Sequence, residues 1–159
     1  MTEQNPLPPN SDVPRTILEL VAWMHNNCYN VNNYAINGIS VYEGLGLKQE
    51  GTQYIWYYTE RGLDTPLDYY DNEADAVFRA YEQIKGDTWA HSHCVGFTPN
   101  ATNSAALAEI LTQLGIKFMQ DSIPYYGIDK PMYRTFVYGC DIKRVEYLKA
   151  EYYVEKDKR

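Results

Sequence analysis

The chain has 159 residues, 45% of them hydrophobic and 22% charged, the length and make-up of one globular domain with a core of its own. A disordered, collagen-like or disulfide-dense miniprotein chain is excluded. With 21 acidic against 14 basic side chains the net charge is -7, so phosphate backbones are repelled on average and no nucleic-acid partner is expected.

Residues 1–12 read as a flexible, Pro-rich tail, and 13–159 as a single domain. Asp12 or Ser11 caps a first helix, with Pro14 near its first turn. Ile17, Leu20, Val21 and Met24 then recur at helical spacing up to about Asn26-Asn27. The Asn-rich run 30–37 reads as polar turn. A short strand begins at Ile39, Val41 and Tyr42 and is punctuated by Glu43-Gly44 and Gly46. Lys48 to Gly51 reads as a hairpin turn, and Gln53 to Glu60 as a strand of good strand formers closed by Arg61-Gly62. Residues 63–72 form a polar connector. Asp71 or Asn72 caps a strong helix, with Glu73 and Asp75 in the first turn where the dipole favours acids. Its buried stripe is Ala74, Val77, Phe78, Tyr81 and Ile84, and the helix is expected to run past Gly86 to about His93.

Thr98-Pro99-Asn100 is a turn, and Asn103 or Ser104 caps another helix with Leu107, Ile110, Leu111 and Leu114 inward. Gly115 stands where a left-handed cap belongs. Ile116 to Met119 reads as a strand, Ser122 to Pro131 as a loop and Tyr133 to Tyr138 as a strand. From Asp141 to Glu155, Ile142, Val145, Leu148 and Tyr152 stand at helical spacing, although Tyr152-Tyr153-Val154 also suits a strand. The irregular alternation, with no Gly-rich strand-to-helix turn, predicts an α+β domain: a small, mostly antiparallel sheet with helices packed on one face.

Three cysteines, Cys28, Cys94 and Cys140, form neither a disulfide framework nor a zinc ribbon. They suit a reducing compartment. The polar start is no signal peptide, and no stretch approaches the roughly 18 apolar residues a membrane helix needs. The expected location is cytoplasmic, with no membrane partner. Tyrosine is the compositional outlier, at 16 residues against 4 Phe and 3 Trp. Most of these suit a half-buried sheet. The pairs 69–70 and 125–126, in loop-like contexts, suit a binding surface.

His91, His93 and Cys94, with His25 and Cys28, contain zinc-ligand types, but no ligand quartet stands at recognised spacing, so no metal or cofactor is expected. Cys94 or Cys140 beside a histidine would make a nucleophile pair, but a lone Cys is more often a small core hydrophobe. No phosphate-binding loop, serine elbow or metalloprotease pattern occurs. Residues 60–87 are more informative: eight acids against three bases place -5 of the net charge there. Helix capping accounts for Asp71, Glu73 and Asp75. It does not account for Glu60, Asp64 and Asp68 beside Tyr69-Tyr70, a combination suited to docking a basic protein.

Tyr-Ile-Trp-Tyr-Tyr-Thr-Glu-Arg-Gly, residues 54–62, resembles the strand-ending Glu-Arg-Gly signature of a bacterial family of polymorphic-toxin immunity proteins, catalogued as immunity protein sixty-three. The likeness covers about residues 53–94: an acidic connector, a helix opened by acids at Asp71 to Asp75, then Val77-Phe78, Tyr81, Ile84 and Ala90. It implies an antitoxin that binds and neutralises the toxic domain of a secreted or contact-delivered effector, without catalysis. The acidic surface suits a basic nuclease as that partner. Contacts are expected from Glu60, Asp64, Asp68, Tyr69, Tyr70, Asp71, Glu73 and Asp75. Two other classes compete: a small hydrolase or metal-dependent enzyme using His91, His93 and Cys94 with a carboxylate such as Asp87, and an adaptor domain with no toxin partner.

Overall fold

A computed structural model describes residues 13–154. The expected tail, 1–12, and the proposed caps Ser11 and Asp12 lie outside the described residues. The protein is α+β. Where one sheet was expected there are two, of four and three strands, and the chain divides into two compact units between Ala90 and His91.

In the first unit the spacing of Ile17, Leu20, Val21 and Met24 produces helix α1 (Ile17–Asn26), with Leu20 and Met24 buried. Its cap is Thr16, whose hydroxyl accepts from the Glu19 amide at 3.0 Å. The Glu19 carboxylate accepts in return from the Thr16 amide at 3.2 Å, a reciprocal capping box. Four strands follow in spatial order: β1 (Tyr34–Ile36), β2 (Glu43–Glu50), β3 (Gln53–Glu60) and β4 (Leu63–Tyr70). β1 runs parallel to β2, and the other pairs are antiparallel.

Four expectations here are corrected. The Asn-rich run contains a strand, β1, all three residues of which are buried. The hairpin turn is not Lys48 to Gly51, since Glu50 pairs with Gln53 and leaves a two-residue turn at Gly51-Thr52, with Gly51 at φ 63. The glycines read as punctuation lie inside β2 and fit it by close approach: the Tyr57 ring lies against Gly46 and the Asn33 carbonyl against Gly44, where a Cβ would collide. The fourth correction is the polar connector, which is strand β4, paired along β3 from Glu60↔Leu63 to Tyr54↔Tyr70. Pro66 and the charges made it read as loop. At the sheet's edge both are tolerated.

Helix α2 (Glu73–Lys85) is capped by Asn72, whose carbonyl oxygen accepts from the Asp75 amide at 2.9 Å. Val77, Tyr81 and Ile84 are buried as expected, joined by Ala76 and Ala80. They form one cluster with Trp56, Leu47, Tyr34, Ile36, Leu20 and Met24. Phe78, read as core, is instead 50% exposed, one position off the stripe that Val77, Ala80, Tyr81 and Ile84 define. Nor does α2 reach His93. Asp87 stops the chain by accepting from the amides of Trp89 at 3.0 Å and Ala90 at 3.3 Å, and from the Tyr34 hydroxyl at 2.6 Å.

The second unit opens with β5 (Ser92–Thr98), where helix was expected to persist. Helix α3 (Ala101–Gln113) follows, capped by Asn100 rather than Asn103 or Ser104: its side chain accepts from the amides of Thr102 and Asn103. Ser104 is instead buried, and its carbonyl accepts from the Gln120 amide group at 2.8 Å, which also reaches Thr135 at 3.0 Å. Leu107 and Leu111 face the core, Leu114 is exposed, and Gly115 takes φ 70 as expected. β6 (Phe118–Ile123) and β7 (Met132–Tyr138) complete an antiparallel sheet with β7 central. The C-terminal stripe Ile142, Val145, Leu148 and Tyr152 is buried, carried by short helices α4 (Ile142–Val145) and α5 (Lys149–Tyr152) joined by a single 3-10 turn. The strand alternative for Tyr152-Tyr153-Val154 is not met: Tyr152 is helical, and Tyr153 makes only an isolated parallel bridge to Phe97.

Ile84 lies fully buried in the α2 cluster, so Ile84→Ala is expected to cost about 2–5 kcal/mol. Half-exposed Phe78→Ala should cost well under half of that. Equal shifts in denaturant midpoint for the two variants would refute this assignment of the helix face.

Candidate partner-binding site

The eight residues singled out from the acidic segment lie on one stretch of the first unit, from the end of β3 through β4 to the first turn of α2. A two-residue turn, Arg61-Gly62, joins β3 to β4 with φ 53 and 82. Among the described residues β4 pairs with β3 alone, and seven of its eight residues are exposed. The register shifts at Trp56/Tyr57, so Leu67 is left without a partner residue, a bulge. The shift turns Asp64 and Asp68 to opposite faces of the sheet. Asp64 stands in the row of Thr59, and its carboxylate meets Lys48 at 3.1 Å. Asp68 stands in the row of Trp56 and meets Arg79 at 3.7 Å. The Arg79 guanidinium also lies over the Trp56 ring, 5.4 Å from its centroid.

The eight divide by what already holds them. The Glu73 carboxylate accepts from the Ile17 amide at 2.8 Å and so ties α2 to the start of α1. Asp75 accepts from the Asn72 side-chain amide at 2.9 Å within the cap. Tyr70 is half-buried against the main core. Glu60, Asp64, Asp68, Tyr69 and Asp71 are exposed, with Tyr69 at 58%. Sequence reasoning missed Leu63 and Leu67, exposed apolar residues of the same strand, because the segment was read as polar connector. The signal was the run of Leu63, Leu67, Tyr69 and Tyr70 amid the acids.

The electrostatics of this stretch are local. Hydrogen bonding from Thr59, then Lys48, holds the Asp64 carboxyl below its ordinary value. The Tyr58 hydroxyl, 2.8 Å from Glu43, is pushed up to about 12 chiefly by that hydrogen bond. Lys48 is raised in turn, mainly by Asp64, and its ammonium lies 4.7 Å from the centre of the Tyr57 ring.

In the second unit β5 carries His93 and Cys94, and His91 immediately precedes it. Among the described residues no three His, Cys, Asp or Glu side chains gather as a metal-holding group. Burial, then His93, lowers the His91 pKa. The Cys94 thiol lies 3.2 Å from the Gly96 carbonyl, and burial pushes its pKa up, away from the thiolate a nucleophile needs. It lines a cleft of about 560 Å3 with Phe97, Tyr125 and Arg134. Arg134 is already held by Asp121 through contacts of 2.8 and 2.6 Å. Asp87, the carboxylate offered for a hydrolase, is occupied by Tyr34, Trp89 and Ala90. Cys28 and Cys140 are both oxidised rather than reduced, so the cysteines lend no support to a reducing compartment.

A larger cleft, about 610 Å3, lies beside α1 and α2 in the first unit. Its Trp23 ring lies 4.6 Å from Tyr29 and 4.8 Å from Tyr81, centre to centre. The three rings fill each other's flanks rather than enclose a slot. No helix among the described residues is long and apolar enough to cross a membrane. Comparison with known proteins finds no matching family model, no similar curated protein and no similar solved structure.

Because its folded carboxyl titrates low, whatever stability Asp64 contributes is present above its unfolded pKa and lost as pH falls through the lower folded one. Thr59→Val and Lys48→Met should each raise the Asp64 midpoint in a carboxyl NMR titration, and unchanged midpoints would refute the assignment. Cys94 should alkylate more slowly than a free peptide thiol at neutral pH. Alkylation at or above the peptide rate would restore the nucleophile reading.

Proposed function

We propose that the protein is an immunity protein that binds and neutralises the toxic domain of a bacterial effector, with no catalysis of its own. The observation that carries this reading is the exposed strand β4, on which Asp64 and Asp68 stand beside Leu63, Leu67 and Tyr69. Asp71 at the following turn and Glu60 at the preceding one extend the same acidic surface. Carboxylates of this kind steer a basic partner into encounter, with a benefit screened over roughly 8 Å at physiological ionic strength. Exposed tyrosine and leucine among them supply apolar area for the bound state. The resemblance of residues 53–94 to an immunity family supports the same reading. A basic nuclease suits the charge, and for such a toxin the place of protection is the cytoplasm.

The hydrolase alternative gains nothing from the second unit, since Cys94 is held toward its neutral thiol. The adaptor alternative differs from the proposal only in its partner, so the test is the partner itself. Co-expression with the toxin domain encoded upstream should yield a complex and spare the host cell. In that complex, Glu60→Gln, Asp68→Asn and Asp71→Asn together should slow association several-fold and flatten its dependence on salt. Tyr69→Ala should mainly speed dissociation, by about tenfold if the ring is a hot spot. A folded triple variant with unchanged association rate and salt dependence would place the binding face elsewhere, with the exposed Tyr125-Tyr126 pair as the next surface to test. Absence of any complex would remove the immunity reading.

A further inference from the structure

We propose that the free edge of β4 receives an extended, basic segment of the partner as a fifth strand of the sheet. The inference rests on the proposed function for the identity of the partner, but its physical grounds are those of the edge.

The four-stranded sheet has two edges of unlike character. β1 is three residues long and buried at each of them, so it offers no room for a further strand. β4 is eight residues long and, among the described residues, paired on one side only, and an unpaired strand edge exposes a row of backbone donors and acceptors. Edges that merely need protection carry charge, proline and bulges, and β4 has all three in Asp64, Asp68, Pro66 and the bulge at Leu67. Protection alone gives no reason for three large apolar side chains on the same eight residues. Leu63 is 76% exposed, Leu67 49% and Tyr69 58%. An added strand would cover them while its backbone used the free edge, the arrangement by which extended peptides join sheets.

Charge selects the occupant. A second copy of this chain, pairing β4 with β4, would run Asp64, Asp68 and Asp71 against the same acids, and like charges across a strand pair are destabilising. The basic partners within reach, Lys48 and Arg79, each neutralise one carboxylate at an exposed contact, and such pairs are weak. Asp71 and Glu60 add to the surplus at the two ends. A segment carrying Lys or Arg among β-branched residues meets both requirements. Because Asp64 and Asp68 face opposite sides of the sheet, its cations are expected on both of its faces. Pro66 lacks an amide hydrogen, so the pairing divides into two short ladders, over Leu63–Thr65 and Leu67–Tyr70.

The test uses the protein alone, so that it fails or succeeds apart from the toxin. Amide hydrogen exchange is measured across the chain with an eight-residue peptide of two Lys-Lys-Val-Val repeats, which puts Lys on both faces of a strand, and with its counterpart carrying Glu in place of Lys. The Lys peptide should slow exchange at the amides of 63–65 and 67–70 by about tenfold or more while leaving the edge strand β6 unchanged, and the Glu peptide should slow exchange at neither strand. Leu67→Pro should remove the protection over 67–70 without loss of the protein's helical far-ultraviolet circular dichroism. Asp64→Asn with Asp68→Asn should weaken it in a protein that stays folded. Equal protection by both peptides, protection at β6 as great as at β4, or none at saturating peptide would each overturn the proposal. Protection that appears without peptide and grows with protein concentration would also overturn it, in favour of a second copy.

Discussion

Trp56 is the contact on which the first unit is organised. It lies at the centre of β3, opposite Leu47 on one side and Asp68 on the other, and is wholly buried in the cluster that α2 makes with the sheet. A side chain of that size is accommodated because α2 carries Ala76 and Ala80, four residues apart, within the same cluster. The indole N–H is buried with no hydrogen-bond partner among the described residues, a cost offset by the apolar area removed from water. The cation of Arg79 over the ring compensates part of it. That same arginine reaches Asp68, so the packing of the helix on the sheet also sets the charge on the outer strand.

Helical elements were legible where apolar residues recurred three and four apart. Ile17 to Met24, Val77 to Ile84, Leu107 to Leu111 and Ile142 to Tyr152 all fall on helices with their predicted faces inward. Phe78 shows the resolution of that signal: a hydrophobic neighbour of a stripe residue is indistinguishable from the stripe until the helix phase is fixed. Strands were legible where β-branched and aromatic residues ran together, as in β3 and β7. They were lost where tertiary pairing overrode composition. β1 lies among asparagines, β4 holds Pro66 and two aspartates, and β5 follows a helix whose periodicity had no obvious end. In the last case the stop is Asp87, whose carboxylate collects three donors, an arrangement that depends on a tyrosine 53 residues away.

The acidic segment was legible as a surplus of charge but not as a division of labour. Glu73 holds the first turn of α1, Asp75 completes the cap of α2 and Asp87 ends it. These carboxylates belong to the fold. Those on β4 and its flanking turns face water, and what distinguishes them is their setting: an unpaired strand edge with leucine and tyrosine exposed alongside. A sequence cannot make that distinction, since all of these are ordinary Asp and Glu residues within one short run. Only pairing between strands separates the acid that caps a helix from the acid that stands on an exposed edge strand.

The turn between β3 and β4 gives part of a sequence signature a conformational origin. Arg61 and Gly62 both have positive φ and form a two-residue loop between antiparallel strands, the sign pattern of a type I′ hairpin. Such a turn matches the twist of its strands and prefers Asn-Gly or Asp-Gly, while an arginine in its first position sits in a region few side chains adopt. The Glu-Arg-Gly triplet therefore records backbone geometry, and drift from Arg to Asn or Asp there would relieve the fold rather than injure it.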